Sequence, residues 1–289
     1  MQDTIDIEVT PLAAACGAEI KGIDPSRPLS AGEVQAIRDA WNKYLVLVFR
    51  GYQVSQDDQL RFASYFGDLG SRKKAPEPLR ARAEGIQQNH EKVLLVTNIK
   101  VDGQPIGAFG DGEFWFHIDS GYSARPYKYT FLYALELPSH GGNTMFSNMY
   151  KAYEAVPPAL KEKLRGKKAL HIHEYNRAKQ AGSTGDISGI PHFYHPVFVT
   201  HPETGRKTLF VDRLMTTRIE GMSEAESDAV LNQLYDLGER REFIFEHEWR
   251  LGDFLMWDNR CTIHARTDFP KVERRLLRRC TVEGEPLYE

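Results

Sequence analysis

Residues 242–282 read EFIFEHEWRLGDFLMWDNRCTIHARTDFPKVERRLLRRCTV. The segments EFIFEHEW, DFLMW and RRLLRRCTV in this stretch are short and rich in aromatic or aliphatic residues, which is typical of strands. Similar segments recur upstream, mostly after residue 93, with few helix signals between them. They cover residues 5–12, 44–49, 93–99, 129–137, 169–175, 195–201 and 207–211. This density of short strands favours an antiparallel barrel or jelly roll over a Rossmann sheet.

Four segments carry helix signals and predict helices that flank the strands. Two of them open with a serine followed three residues later by a glutamate, which is the capping-box pattern, and one opens with prolines. The predicted helices cover residues 34–44 after Ser30, 56–67 after Ser55, 156–166, and 227–238 after Ser223. The turn sequence THPETGRKT at residues 200–208 predicts a β-hairpin. The predicted fold class is therefore mainly β with flanking helices.

The composition excludes several classes of partner. A net charge of -3 in 289 residues gives no reason to expect a nucleic acid or a membrane surface as a partner. No apolar run reaches the length of a membrane span, and the acidic N-terminus does not resemble a signal peptide. The three cysteines Cys16, Cys261 and Cys280 suggest no disulfide framework, so we expect a cytoplasmic protein. The oligomeric state stays open, a homo-oligomer included.

We expect one domain over residues 1–289, because all-β folds of this length are often single domains. Two long segments lack a strand or helix pattern. Residues 70–92 are charged and contain prolines, and residues 176–192 are rich in glycine and serine. Loops of this length inside a compact domain are usually lids or binding loops. We therefore expect both segments to cover a site.

The stretch FWFHIDSGY at residues 114–122 places a histidine and an aspartate two residues apart at the end of an apolar run. Two residues is the repeat of a strand, so the side chains of His117 and Asp119 are expected on the same face. Such a pair alone is weak evidence for a metal. His264, at the end of a later predicted strand, supplies a third candidate ligand. Two histidines and one carboxylate form the facial triad that holds non-haem Fe(II) and leaves three positions open.

The segment ERRLLRRC at residues 273–280 carries four arginines on one predicted strand. Alternation puts Arg275 and Arg279 on one face and Arg274 and Arg278 on the other, so two guanidinium groups point inward whichever face is buried. Buried guanidinium groups need anionic partners, which are either internal acids or small anionic ligands. The alternative interpretation of this segment is a solvated basic edge strand.

Five motifs in this order resemble the taurine dioxygenase (TauD/TfdA) family. They are WFHID, LPSHGGNTMF, HPVFVTHPETGRKTLFV, WDNRCTIHA and ERRLLRRCTV. The resemblance implies a jelly-roll, or double-stranded β-helix, fold and an oxygenase that depends on Fe(II) and 2-oxoglutarate. Carried over residue by residue, it makes His117, Asp119 and His264 the iron ligands. It also implies that Thr144 and Arg275 hold the 2-oxoglutarate.

The same resemblance concerns the substrate pocket. Arg279 matches the arginine that meets the anionic group of the substrate in members of the family. Tyr175 and Met215 stand near positions where the taurine enzyme places phenylalanines around its substrate. Residues 70–72 read GSR, where that enzyme carries a histidine that contacts the substrate. These departures indicate a changed substrate pocket.

The function that we expect is an Fe(II)- and 2-oxoglutarate-dependent dioxygenase that oxidises, above all by hydroxylation, a small organic anion with O2 and forms succinate and CO2. A non-catalytic jelly-roll protein that binds anions is the alternative, but it would have no use for the complete set of site residues. A zinc hydrolase would need a base beside the metal, which the sequence does not offer. We interpret the remaining candidates as structural or core residues: His171, His173, His192, His195, Cys261 and Cys280.

Overall fold

The computed structural model describes residues 7–71, 91–173 and 187–289. Its helices are α1 (Ala31–Tyr44), α2 (Gln56–Ser64), α3 (Met149–Ala155), α4 (Pro158–Leu164) and α5 (Glu224–Gly238), and a 3-10 helix covers Arg241–Phe243. Its strands are β1 (Glu8–Pro11), β2 (Ala18–Lys21), β3 (Val46–Phe49), β4 (Leu94–Thr97), β5 (Lys100–Val101), β6 (Gln104–Pro105), β7 (Phe114–His117), β8 (Tyr129–Glu136), β9 (Thr144–Asn148), β10 (Lys168–Ile172), β11 (His192–Pro196), β12 (Phe198–Thr200), β13 (Lys207–Leu209), β14 (Thr216–Ile219), β15 (Ile244–His247), β16 (Phe254–Asp258), β17 (Thr262–Arg266) and β18 (Leu276–Val282).

Two sheets pack face to face and form a jelly roll. The larger sheet has seven strands in the order β1-β2-β3-β16-β8-β18-β4, and the smaller has four in the order β15-β9-β17-β7. Only the β2–β3 pairing is parallel in these two sheets as described. Leu255 and Trp257 of the larger sheet share a buried core with Phe146 and Phe245 of the smaller one. The predicted mainly β jelly roll is therefore confirmed.

Helices α1 and α2 cover the outer face of the larger sheet. Trp41 of α1 and Phe62 of α2 both pack their rings against Phe131 of β8. The sequence of strand β3, VLVF, is apolar at every position because both faces of the strand are buried. Its residues alternate between the layer beneath the helices and the core between the sheets, and both layers are buried.

The predicted helix starts are present. The Ser30 side chain accepts from the Glu33 N–H while the Glu33 carboxylate accepts from the Ser30 N–H, and Ser55 makes the same arrangement with Asp58. These reciprocal bonds satisfy N–H groups that have no partner inside the helix. Helix α3 was not predicted, because its N-cap, Asn148, is also the last residue of β9 and no turn signal separates the two elements.

Strand β18 lies between β8 and β4, so the interpretation as a solvated edge strand is wrong. Arg275 and Arg279 are buried on the side of the smaller sheet. Arg278 is buried on the other side, where it donates to the Gln59 side chain of α2 and to the Val54 carbonyl. Arg274 alone of the four points outward, to Glu136. Both faces of this strand therefore carry buried arginines.

None of the helices in the described residues is long and apolar enough to cross a membrane. The predicted hairpin at residues 200–208 is formed by β12 and β13. Most of the two predicted lid segments, 70–92 and 176–192, lies outside the described residues, and so does Tyr175.

Candidate metal centre and anion pocket

Three candidate metal ligands meet where the end of β7 lies beside the middle of β17. His117 is the last residue of β7, and it is the cross-strand partner of His264 in β17. The Nε2 atoms of the two histidines lie 3.8 and 3.9 Å from Oδ1 of Asp119. One ligand atom from each residue can be chosen so that all three lie within 4.8 Å of one another. This spacing suits three ligands of a single ion.

Two details of the predicted positions are wrong. Asp119 lies beyond the end of β7, in the turn that follows, and His264 is in the middle of β17 and not at its end. The intervening Ile118 side chain is buried in the core with Ile263 and Ala265 of β17, and the carboxylate of Asp119 faces the two histidines. The period-two argument gives the correct side of the sheet although the strand is shorter than predicted.

The two histidines are held as neutral imidazoles. Nδ1 of His117 lies 2.8 Å from the Trp115 carbonyl, so it carries the proton and leaves the Nε2 lone pair towards the site. Burial lowers the pKa of His117 and lowers that of His264 well below its usual value. The ring of His264 packs 4.7 Å from that of Trp257. Neutral, oriented imidazoles are the form that binds a metal.

The carboxylate of Asp119 is ionised and fixed at both oxygens. Oδ2 accepts from the Thr130 hydroxyl at 2.5 Å, and Oδ1 lies 2.7 Å from Nη2 of Arg279. Burial alone would raise the pKa of Asp119, but the nearby charges, Arg279 foremost, and the Thr130 hydrogen bond lower it to about 2. Thr130 in turn accepts from Asn259, which accepts from Trp257. Sequence reasoning missed this chain of hydrogen bonds.

A buried guanidinium lies beside the triad without an acidic partner. Nε and Nη2 of Arg275 donate to the Gly142 carbonyl at 3.2 and 2.9 Å, and Nη1 has no partner within the described part of the chain. Burial, together with the charge of Arg266, lowers the pKa of Arg275 to about 9. Gly142 has a φ of +66°, and a Cβ there would lie 2.8 Å from Nε of Arg275. A glycine is needed for this approach.

Thr144 lines the same pocket as Arg275 and the triad. Its hydroxyl accepts from the indole N–H of Trp249 at 3.0 Å. Because an indole N–H can only donate, the Thr144 proton is left for an acceptor in the pocket. The remaining described walls are mainly apolar and aromatic: Val96, Phe109, Phe114, Leu132, Trp257 and Ala265. The pocket therefore combines a metal-ligand set, a hydroxyl donor and unpaired positive charge.

Known proteins with a similar sequence or structure identify the family. The model of the family "Taurine catabolism dioxygenase TauD, TfdA family" matches residues 8–281. The chain belongs to this family. It is 35% identical over 306 residues to pentalenolactone F synthase of Streptomyces avermitilis, with 99% of this chain and 97% of the relative covered. It is 32% identical over 291 residues to the alpha-ketoglutarate-dependent 2,4-dichlorophenoxyacetate dioxygenase of Cupriavidus pinatubonensis, with 96% and 98% covered.

Among solved structures, AAD-2 in complex with Mn(II) and N-oxalylglycine matches with a TM-score of 0.77 and 27% identity, covering 98% of this chain and 100% of that one. The TauD/TfdA resemblance drawn from the sequence motifs is confirmed. This chain is an enzyme of the Fe(II)- and 2-oxoglutarate-dependent dioxygenase class, alpha-ketoglutarate being another name for 2-oxoglutarate.

The residues of this family member fit the metal and the co-substrate. Two neutral imidazoles and an ionised carboxylate are the donor set of the facial triad. Arg275, with an unused buried donor, suits a carboxylate of 2-oxoglutarate. Asp119 is the only carboxylate among the described residues that line the pocket. No separate base for a zinc hydrolase is therefore present in that lining.

Of the predicted substrate residues that lie in the described part of the chain, Arg279 lines the pocket and Met215 does not. The guanidinium of Arg279 is paired with the carboxylate of Asp119. Of the two kinds of anionic partner expected for these arginines, internal acids and small anionic ligands, Arg279 therefore has an internal acid. Nε of Arg279 has no partner in the part of the chain that the structure describes. Met215 is buried and does not line the pocket formed by the described residues; its N–H donates to Asp212.

The other candidates have structural surroundings. The His171 ring lies within 3.2 Å of the Thr216 hydroxyl, and His195 lies 2.9 Å from the Ser123 carbonyl.

A second cluster of metal-ligand types, which the sequence did not suggest, comprises His201, Asp258 and Cys261. Its carboxylate already accepts from Arg260 and lies 3.0 Å from Nε2 of His201. Cys261 lies in the turn before β17 and not in a strand, and burial raises its thiol pKa well above its usual value.

Proposed function

We propose that His117, Asp119 and His264 bind the Fe(II), and that Arg275 and Thr144 bind 2-oxoglutarate, in the oxidation of a small organic anion. Hydroxylation is the outcome that we propose, with succinate and CO2 as the other products. The observation that carries the proposal is the buried guanidinium of Arg275, whose Nη1 has no partner among the described residues, in the same pocket as the three ligand atoms. A protein that only binds anions would not need a metal-ligand set there.

Fe(II) supplies the activation of dioxygen, coupled to the oxidative decarboxylation of the keto acid. The protein chain binds and orients the metal and the 2-oxoglutarate, and it excludes water from the pocket. Thr130 keeps Asp119 ionised and fixed, and the Trp115 carbonyl sets the tautomer of His117. Arg275 neutralises the distal carboxylate of 2-oxoglutarate, and Thr144 donates its hydroxyl proton to the same group. The aromatic walls at Phe109, Phe114 and Trp257 limit access of water.

Arg279 supports an anionic substrate. A metal held by Asp119 would share the negative charge of this carboxylate with Arg279, whose Nε has no partner among the described residues and would be available to an acid group of the substrate. The relative named above acts on 2,4-dichlorophenoxyacetate, which carries a carboxylate. Taurine is not the substrate that we propose, because the residues at 70–72 differ from the taurine enzyme. In the rival account, Asp119 keeps Arg279 throughout and the substrate is neutral.

A substrate screen tests this proposal. We expect carboxylates, sulfonates or sulfate esters to stimulate succinate formation in the presence of Fe(II), 2-oxoglutarate and O2, and their neutral amide or alcohol analogues to be inactive. Arg279→Met should bind 2-oxoglutarate within about threefold of the natural protein, a small free-energy change. It should however form succinate with little oxidised product. A neutral analogue that is turned over as well as its acid would contradict the role of Arg279.

The complete triad also predicts the type of product. Asp119 fills the carboxylate position, so the protein leaves no additional coordination site for a halide. We expect oxygenated product and no chlorinated product when the enzyme is assayed in chloride. Mass spectrometry of the product, which resolves the chlorine isotope pattern, provides the measurement. Detection of a chlorinated product would show that Asp119 is not a ligand during turnover.

We also propose a cytoplasmic location. All three cysteines are buried free thiols, which suits a reducing compartment. The proposed partners are O2, 2-oxoglutarate and the anionic substrate, with no nucleic acid or membrane surface and with the oligomeric state left open.

A further inference from the structure

A third arginine that lines the pocket, Arg266, has no role in the function proposed so far. Arg266 follows His264 by two residues in β17, and its side chain is buried and lines the pocket. Its nitrogens donate to backbone carbonyls: Nε and Nη2 to Gly112 at 3.1 and 2.7 Å, and Nη1 to Phe109 at 2.5 Å. Within the described residues no ion pair includes it. The planar fork of an arginine therefore joins two carbonyls of one short segment.

The segment that Arg266 holds is Phe109–Gly112, which belongs to no helix or strand. Upstream it is fixed to β4, since the Ala108 N–H donates to the Leu95 carbonyl and the Ala108 carbonyl accepts from Thr97. Downstream it continues into β7, which carries His117. Phe109 itself has a φ of +63°, in the left-handed region that non-glycine residues avoid. Such a backbone persists only where its surroundings fix it.

Phe109 connects this segment to both the metal centre and the substrate side of the pocket. Its ring packs 5.2 Å from that of Phe114, which packs 4.7 Å from the ring of His117. The guanidinium of Arg279 lies 6.0 Å from the centre of the Phe109 ring. Phe109 is therefore part of the pocket wall beside Arg279, and we call the segment Phe109–Gly112 the roof of this side of the pocket.

The arrangement is costly for the ligand-free protein. The guanidinium of Arg266 is largely removed from solvent and forms no ion pair with an acid among the described residues. The charge of Arg266 also disfavours the charged form of Arg275. An apolar side chain would avoid the buried charge but would leave the Gly112 and Phe109 carbonyls without these donors, so the carbonyl contacts are what an arginine supplies here.

We propose that Arg266 is a positioning residue that fixes the Phe109–Gly112 roof over the substrate side of the pocket. This inference rests on the proposed function, in which Arg279 binds the substrate. Arg266 fixes the roof through the geometry of its two carbonyl contacts, and its positive charge alone is not sufficient. Substrate binding and the coupling of 2-oxoglutarate consumption to product therefore depend on Arg266, whereas 2-oxoglutarate binding does not.

The test compares Arg266→Met, Arg266→Lys and, as a matched control on an exposed arginine, Arg165→Met. The probes are 2-oxoglutarate and the most active acid from the screen above. For both Arg266 variants we expect the KM of that acid to rise at least about tenfold, the loss expected for about 1.4 kcal/mol. We also expect less product per succinate, with the dissociation constant of 2-oxoglutarate changed by less than about threefold. Arg165→Met should match the natural protein.

Two results would overturn the proposal. One is unchanged KM and coupling in Arg266→Met while the natural enzyme is active. The other is full recovery in Arg266→Lys, because charge would then suffice. Hydrogen exchange on the metal-free protein provides a measurement that does not need turnover: Arg266→Met should accelerate exchange in residues 106–113 and leave β18 unchanged. If the natural protein forms no succinate, the proposed function fails, and the exchange result still decides whether Arg266 fixes the roof.

Discussion

Replacing His264 is expected to reduce 2-oxoglutarate-dependent succinate formation to the background level. His264 supplies one of three converging ligand atoms, and an ion left with His117 and Asp119 alone loses affinity and its facial geometry. Because the ring also packs against Trp257, an alanine leaves a cavity and lowers stability. His264→Gln retains more of the volume and is the better variant.

The control for this experiment is His192→Ala, since His192 is exposed and contacts only the Ile190 carbonyl among the contacts described for it. Succinate formation and bound iron after anaerobic reconstitution should be unchanged in the control. Both should be lost in His264→Gln at an unchanged far-UV circular dichroism spectrum. A His264→Gln protein with natural activity would show that the triad is not the metal site.

Replacing Arg275 by methionine is expected to raise the required concentration of 2-oxoglutarate about ten- to a hundred-fold. The lost charge-assisted hydrogen bonds are worth about 1.5–3 kcal/mol. Methionine keeps the length of the stem, so little cavity is formed. Arg274→Met, on the exposed face next to it, is the matched control and should bind 2-oxoglutarate normally.

The same variant should have the opposite effect on stability. Burial lowers the folded-state pKa of Arg275 to about 9, so the charged form is disfavoured by folding at every pH below that value. At neutral pH the ligand-free Arg275→Met protein should therefore melt at a temperature equal to or above that of the natural protein. Weaker binding with unimpaired stability is typical of a residue that serves a ligand. A large loss of stability with unchanged 2-oxoglutarate binding would contradict this role.

The sequence predicts the features that depend on local spacing. The period of two puts Arg279 of β18 and Arg275, which directly precedes this strand, on the same side, and serines three residues before an acid predict the starts of α1 and α5. His117, Asp119 and His264 have the residue types of an iron triad, and the structure brings them together. The alternation in β18 and the helix starts need no knowledge of which strand lies beside which, whereas the meeting of the triad requires β7 to pair with β17.

The features that were missed depend on pairing between distant strands. Thr130 lies in β8 of the larger sheet and Asp119 follows β7 of the smaller sheet, so their contact depends on how the two sheets pack together. Nothing in the apolar segment around Thr130 indicates this contact, although a threonine in a fully buried strand requires some hydrogen-bond partner. The ion pair between Arg279 and Asp119 likewise joins residues that are 160 positions apart in the sequence (279 − 119). No signal in the sequence distinguishes Arg266 from other charged residues near the end of a predicted strand.

The most direct test of the central claim is an anaerobic titration of the natural protein with Fe(II) and then 2-oxoglutarate, followed by visible absorption. We expect a charge-transfer band that saturates with 2-oxoglutarate, requires higher concentrations of 2-oxoglutarate in Arg275→Met and is missing in His264→Gln. A natural protein that binds 2-oxoglutarate with no such band, or an equal band in His264→Gln, would contradict the assignment of the metal centre.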